Sequence, residues 1–261
     1  STPSNSSAAS DVYKRQEGYG YTVATEMYSA GIDRLTHQPL SFSVSETTEG
    51  VHIHIIDAEL MGKGEKEKKD LYIEGVQNNG IINHYEYIIN SEGTIEIRHV
   101  LKPEGKMPLW FPRIGLTLTV SDALDQVKWY GRGPQENYPD RKTGYPMGIY
   151  ASTVQAMYEP YLMPQDYGLR TDVRWLQLTT DKGIGLQFKM NEWFNFNIYP
   201  YSTDNLTKAM YTYQLQKQKG MTLNLDYATT GVGCTARGVF GAYKAMPQEY
   251  RRTISIKPMM K

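Results

Sequence analysis

Alternation is the pattern that most limits what this chain can become. Val51-His52-Ile53-His54-Ile55, Thr94-Ile95-Glu96-Ile97-Arg98 and Leu116-Thr117-Leu118-Thr119-Val120 each switch between apolar and polar at every step, and Gly, Pro, Asp or Asn bounds each run. Successive side chains on a strand point to opposite faces, so period-two runs of about four to eight residues mark strands buried on one side. The pattern returns at Gly185-Leu186-Gln187-Phe188-Lys189, Phe194-Asn195-Phe196-Asn197-Ile198-Tyr199, Met221-Thr222-Leu223-Asn224-Leu225-Asp226-Tyr227 and Arg252-Thr253-Ile254-Ser255-Ile256. Helical periodicity is rare; one short helix is expected over 203–208, capped by Thr203 or Asp204. Strands do not alternate with helices as they would in a parallel sheet. The layer rules therefore point to an all-β domain of two large antiparallel sheets packed face to face. With 261 residues there is chain enough for its core, since a domain of this size buries about 70–75% of the surface its unfolded chain exposes.

Charge narrows the function. The 28 basic and 28 acidic side chains cancel, so no long-range field gathers nucleic acid or anionic lipid. No apolar run approaches the roughly 18 residues of a membrane span, and a soluble protein is expected, cytoplasmic or periplasmic in a bacterium. A single cysteine, Cys234, excludes an internal disulfide and any multi-cysteine metal cage. Residues 1–16 carry one Val and one Tyr as their only sizeable apolar groups. They lack the basic and apolar regions of a secretory signal, so 1–22 reads as a tail and 23–261 as the folded domain. The charged run over 62–70 reads as a solvated hairpin tip. Tyrosine is the compositional oddity, at 21 residues against 6 Phe and 4 Trp. Such rings suit strands, interfaces and sugar clefts alike.

Little in the chain suggests self-contained chemistry. His52 and His54 share a strand face, but no carboxylate or third His follows at a recognisable ligand spacing, so a polar strand face is expected and no metal. Cys234 has no identifiable base. Gly231-Val232-Gly233 lacks the later glycine and the helix of a phosphate loop. The stretch over 128–141 stands apart: it opens as a strand and becomes a loop in which Arg132, Glu136, Asp140 and Arg141 supply charges for bidentate pairing. The residues read either as a loop that satisfies its own polar groups or as a surface facing sugar or another domain, where Tyr, Asn, Gln and Arg meet vicinal hydroxyls.

The run Trp129-Tyr130-Gly131-Arg132-Gly133-Pro134-Gln135-Glu136-Asn137-Tyr138-Pro139-Asp140-Arg141 resembles the hallmark of the C-terminal, small-chain domain of glycoside hydrolase family 2 β-galactosidases. Tyr158-Glu159-Pro160-Tyr161 and Pro164-Gln165-Asp166-Tyr167-Gly168-Leu169-Arg170-Thr171-Asp172-Val173-Arg174-Trp175 are similar to its following segments. So are Ser29-Ala30-Gly31-Ile32-Asp33-Arg34-Leu35 upstream and Leu225-Asp226 leading to Gly231-Val232-Gly233 downstream. Order and spacing agree across roughly 25–258.

The resemblance implies a β-supersandwich of the galactose-mutarotase-like kind, an accessory domain that helps complete the active-site wall and the domain packing of a retaining β-galactosidase. The two glutamates of that chemistry, about 5 Å apart, lie in a barrel outside these residues. Hence no catalytic residue is expected here, Glu136 and Glu159 included, and the chain alone should hydrolyse nothing. Substrate-proximal or interface candidates are Arg132, Gln135, Glu136, Asn137, Tyr138, Asp140, Arg141, Arg170 and Phe240. No cofactor is expected in the chain; Mg and a monovalent cation belong to the catalytic region of the family. Implied partners are a β-galactoside or galactose at the full enzyme's site, its remaining domains and a homo-oligomer, with no nucleic acid and no membrane. Two departures stand out. The tail replaces the family's first strands, which leaves an exposed sheet edge. The position of a sugar-stacking tryptophan carried by many relatives falls near Gly238, where no ring stands, and Phe240 and Tyr243 are the nearest substitutes. Two alternatives compete: an independent carbohydrate-binding module, favoured by Trp193 and the tyrosines, and a mutarotase-like epimerase, for which His84 and His99 form no motif.

Overall fold

In the computed structural model the described residues are 34–62, 80–105, 107–233 and 238–260, with backbone alone for 34–40 and 58–62. The tail over 1–22, most of the 29–35 motif, nearly all of the charged run over 62–70, and Cys234 lie outside them. The described residues form eleven strands: β1 (Arg34–Thr47), β2 (Gly50–Gly62), β3 (Gly80–Ile89), β4 (Ile95–Glu104), β5 (Arg113–Val120), β6 (Gln126–Arg132), β7 (Met147–Thr153), β8 (Arg170–Thr179), β9 (Gly185–Tyr199), β10 (Met221–Thr229) and β11 (Tyr250–Met259). Among the described residues there is one α-helix, α1 (Thr203–Lys208), and no helix there is long and apolar enough to cross a membrane.

Among the described residues every strand pairing is antiparallel, in the order β1-β2-β3-β4-β11-β9-β8-β6-β7, with β10 on β9 and β5 on β10. Strand β9 is the fork. Its residues 185–190 pair with β11, and its residues 195–199 pair with β10. Two arms of sheet thus leave one strand and close on one core, the supersandwich arrangement. Ile97 of β4, Trp129 of β6, Leu176 of β8, Phe188 and Phe196 of β9, Leu223 of β10 and Ile254 of β11 all belong to that core and are 3% exposed or less. Each such side chain contributes roughly 1.5–3 kcal/mol by leaving water.

Two readings of the sequence change in detail. The segments at 185–189 and 194–199 are one strand, interrupted on its β8 side by a bulge: Trp175 pairs with Lys189 while Val173 pairs with Phe194. The extra residues bring Asn191, Glu192 and Trp193 to the surface. The helix lies where its signals put it, but Ser202, one residue before the expected cap, accepts the Asn205 N–H at 3.1 Å.

Strand β10 departs from the half-exposed pattern more deeply. Its polar positions Thr222, Asn224 and Asp226 are at most 5% exposed because a second, polar interior faces them. Arg113 grips Asp226 with Nε at 3.1 Å and Nη2 at 2.6 Å, and Nη2 also donates to Asn197 at 3.1 Å. Asn224 donates to Asn197 and to the Tyr199 hydroxyl, and Asn197 donates to Asp166 at 2.6 Å. Burial works against the Arg113 charge, yet Asp226 and Asp166 outweigh it and hold its pKa well above the ordinary value.

Candidate functional site

The loop after β6 is held by its own side chains. Arg132 donates through Nε to Asp172 at 2.6 Å and through Nη1 to the Lys142 and Tyr145 carbonyls. Lys142 reaches the other oxygen of Asp172 at 2.5 Å. Asp172 sits at a β8 bulge with φ +57, a conformation that Asp tolerates better than most residues, and the kink aims its carboxylate at both cations. Burial alone would raise the Asp172 pKa; the bonds and charges of Lys142 and Arg132 prevail and hold it low.

Glu136 is equally committed. Oε1 accepts the Tyr161 hydroxyl, and Oε2 accepts the Tyr138 hydroxyl at 3.1 Å and the Gly168 N–H at 2.8 Å. Burial, then the Glu136 charge, raises the pKa of Glu159, which Arg170 opposes. Arg170, itself buried, donates to the Pro134 and Gly168 carbonyls and lies 5.5 Å over the Trp129 ring. Asn137 is fully buried; its Oδ1 accepts both the N–H and the hydroxyl of Thr171, and its amide donates to the Gln135 carbonyl. The Gln135 side chain is exposed.

Asp140 and Arg141 reach a different segment. The Asp140 carboxylate accepts the N–H groups of Val232 at 2.9 Å and Gly233 at 2.6 Å, while Arg141 donates to the Gly233 carbonyl at 3.0 Å. A Cβ on Gly231 would stand 2.4 Å from the Asp140 carboxyl carbon, so only glycine permits this approach. Downstream, Phe240 is 67% exposed at the start of a turn over Gly241–Tyr243, and the Tyr243 carbonyl accepts the Gly231 N–H.

A cleft of about 540 Å³ opens beside this clamp, bordered by Pro139, Lys142, Asp172, Trp193, Tyr243 and Arg252. Arg252 pairs with Glu192 at 2.9 Å, and its buried Nε has no hydrogen-bond partner among the described residues. Trp193 is exposed, but the Arg174 guanidinium lies 3.4 Å over its ring. A cleft with aromatic edges and several donors suits a polyhydroxy ligand.

The structure therefore draws eight of the nine candidate residues into one loop system, with Phe240 outside it, exposed just before the Gly241–Tyr243 turn. Sequence reasoning did not single out Asp172, Lys142, Arg252 or the bulge at Asn191–Trp193; Asp172 and Lys142 stand close to the motif, and their charges were the available signal. His99 is buried and bonded to Asn83 and Tyr227.

A family model described as the beta galactosidase small chain matches residues 19–256. The β-galactosidase of Priestia megaterium (strain DSM 319 / IMG 1521) is 38% identical over 147 residues, covering 56% of this chain and 14% of that protein. The β-galactosidase of Vibrio cholerae serotype O1 (strain ATCC 39541 / Classical Ogawa 395 / O395) is 31% identical over 207 residues, covering 79% and 18%. The chain thus spans less than a fifth of the length of these relatives. Among solved structures, galactose 1-epimerase from Lactobacillus acidophilus NCFM is 11% identical, with 86% of this chain and 66% of that chain covered at a TM-score of 0.42. From the motifs and the match over nearly its whole length, the chain belongs to the β-galactosidase small-chain family.

Proposed function

We propose that this chain is the C-terminal accessory domain of a retaining β-galactosidase of glycoside hydrolase family 2, that the catalytic glutamates lie outside it, and that it completes the active-site wall. One observation carries the reading: Asp140 and Arg141 hold the Gly231–Gly233 turn while Tyr243 stands exposed at the edge of a cleft and Phe240 is exposed three residues before it. Such an arrangement presents a ring to a sugar, and the carboxylates lining the cleft, Asp172 and Glu192, are each paired with protein cations. Glu136 is tied into the loop itself, both its oxygens accepting hydrogen bonds from the protein. Mg²⁺ and a monovalent cation, where the whole enzyme uses them, would belong to its catalytic region; Glu136, Asp140 and Asp172 already accept protein donors on both oxygens.

The exposed Trp193 at the cleft edge favours a second reading, an independent carbohydrate-binding module. Calorimetric titration of the chain with galactose and lactose separates the two. An accessory wall binds neither measurably by itself, whereas saturable heat from the isolated chain, lost in Trp193→Ala, supports the module and overturns the first reading.

A further inference from the structure

The β2–β3 ladder carries a group of side chains that neither the clamp nor the cleft uses. His52 and His54 are two apart on β2 and point to one face; Glu86 on β3 is the register partner of His54. His52 Nδ1 is 3.3 Å from Glu86 Oε1, and His54 Nε2 is 3.8 Å from the same oxygen. One ligand atom from each of the three lies within 4.8 Å of the others. Ligands held about 2.1 Å from a tetrahedral Zn²⁺ stand about 3.4 Å apart. His52 and Glu86 already have that spacing, and His54, with 49% of its side chain exposed, needs only a small rotation to join them.

Hydrogen bonding points the same way. Thr47 Oγ1 accepts the Glu49 N–H at 3.2 Å and donates its own hydrogen to the Gly50 carbonyl at 3.4 Å. Standing 2.9 Å from His52 Nε2, it can accept the hydrogen that Nε2 carries when Nδ1 ligates a cation. In that tautomer the Nδ1 lone pair faces Glu86 Oε1 at 3.3 Å, the separation of two ligand atoms that share one cation. Glu86 is oriented as well: Arg98 donates to Oε2 at 3.0 Å and leaves Oε1 for the imidazoles. A hydroxyl on the far nitrogen of a histidine and a donor on the far oxygen of a carboxylate are the outer partners that commonly aim metal ligands.

We propose that His52, His54 and Glu86 form a site for a divalent transition metal of borderline softness, with Zn²⁺ as the reference ion, and that Thr47 and Arg98 position its ligands. Two imidazoles and one carboxylate suit such an ion better than Mg²⁺ or Ca²⁺, which prefer all-oxygen shells. Three protein ligands leave a coordination position for water or for a donor from another molecule.

The test is calorimetric titration of the untagged, chelator-treated chain with Zn²⁺, followed by Co²⁺ as a spectroscopic probe. The expected result is one Zn²⁺ per chain and ligand-field bands of a low-coordinate Co²⁺ complex. Affinity should fall at least tenfold in His54→Ala and in Glu86→Gln, about tenfold in Thr47→Val, and stay unchanged in His84→Ala. His54 is half-exposed, so its replacement tests the site without emptying the core, and unchanged circular dichroism verifies this. Absence of Zn²⁺ binding by the wild-type chain, or binding that survives both His54→Ala and Glu86→Gln, overturns the proposal.

Discussion

Asp140 accepts the backbone N–H of Gly233 at 2.6 Å, a contact between residues 93 positions apart. It joins the loop after β6 to the turn after β10. Arg141 completes the contact from the carbonyl side. The turn is thereby fixed by side chains of the hallmark run, and the Tyr243 carbonyl, accepting the Gly231 N–H, is tied to it.

Asp140→Ala removes two charge-assisted hydrogen bonds and leaves two N–H groups without that acceptor. A loss of about 2 kcal/mol is expected in urea unfolding. Amide exchange should rise first at Val232 and Gly233; equal protection of those amides in the variant would contradict the clamp.

Gly231→Ala should cost about 1–3 kcal/mol, since its new methyl meets the Asp140 carboxylate at 2.4–2.7 Å. Most of that cost should vanish on an Asp140→Ala background, because the clashing group is gone. Full additivity of the two changes in a double-mutant cycle would exclude the proposed approach.

Arg113→Met strands Asp226 and Asp166 in the buried polar interior between β5, β9 and β10. Breaking a buried ion pair from one side costs about 3–5 kcal/mol. Thermal melting of the variant should show a loss of that order, far beyond that of an exposed arginine such as Arg251.

His99 donates from Nε2 to Asn83 Oδ1 at 3.0 Å and accepts the Tyr227 hydroxyl on Nδ1 at 2.7 Å, so the neutral ring is fully satisfied. Burial, assisted by the charge of His84, lowers its pKa to about 4. The unfolded chain takes up this proton near pH 6.5 and the folded chain does not, so stability is complete above 6.5 and declines as pH falls toward 4. About 3 kcal/mol is at stake across that window. Unfolding free energies at pH 7 and pH 4.5 should differ less in His99→Gln than in the wild type; an equal difference would remove His99 as the cause.

Much of this was legible in the sequence. Alternation located β2, β4, β5, β10 and β11, and the run over 129–141 identified the loop system. What escaped was set by tertiary context. Polar positions on β10 look the same whether they face water or a buried arginine. The bulge at Asn191–Trp193 broke the pattern of β9 without breaking the strand, because its extra residues bow out from β8 while β11 still pairs at Met190. Glu86 joins His52 and His54 only through the β2–β3 register, which no spacing along the chain reveals. Within the hallmark loop the residue types were plain, but their use was not: Glu136 and Asp172 could as well have faced a ligand as the tyrosines, Arg132 and Lys142 that bind them.

The most direct measurement is turnover of an aryl β-galactoside by the isolated chain, by the remainder of a β-galactosidase from which this domain has been removed, and by the two combined. No turnover is expected from the chain, little from the remainder, and recovery on combination, weakened by Phe240→Ala. Hydrolysis by the chain alone, or a remainder that works fully without it, would contradict an accessory wall whose catalytic glutamates lie elsewhere.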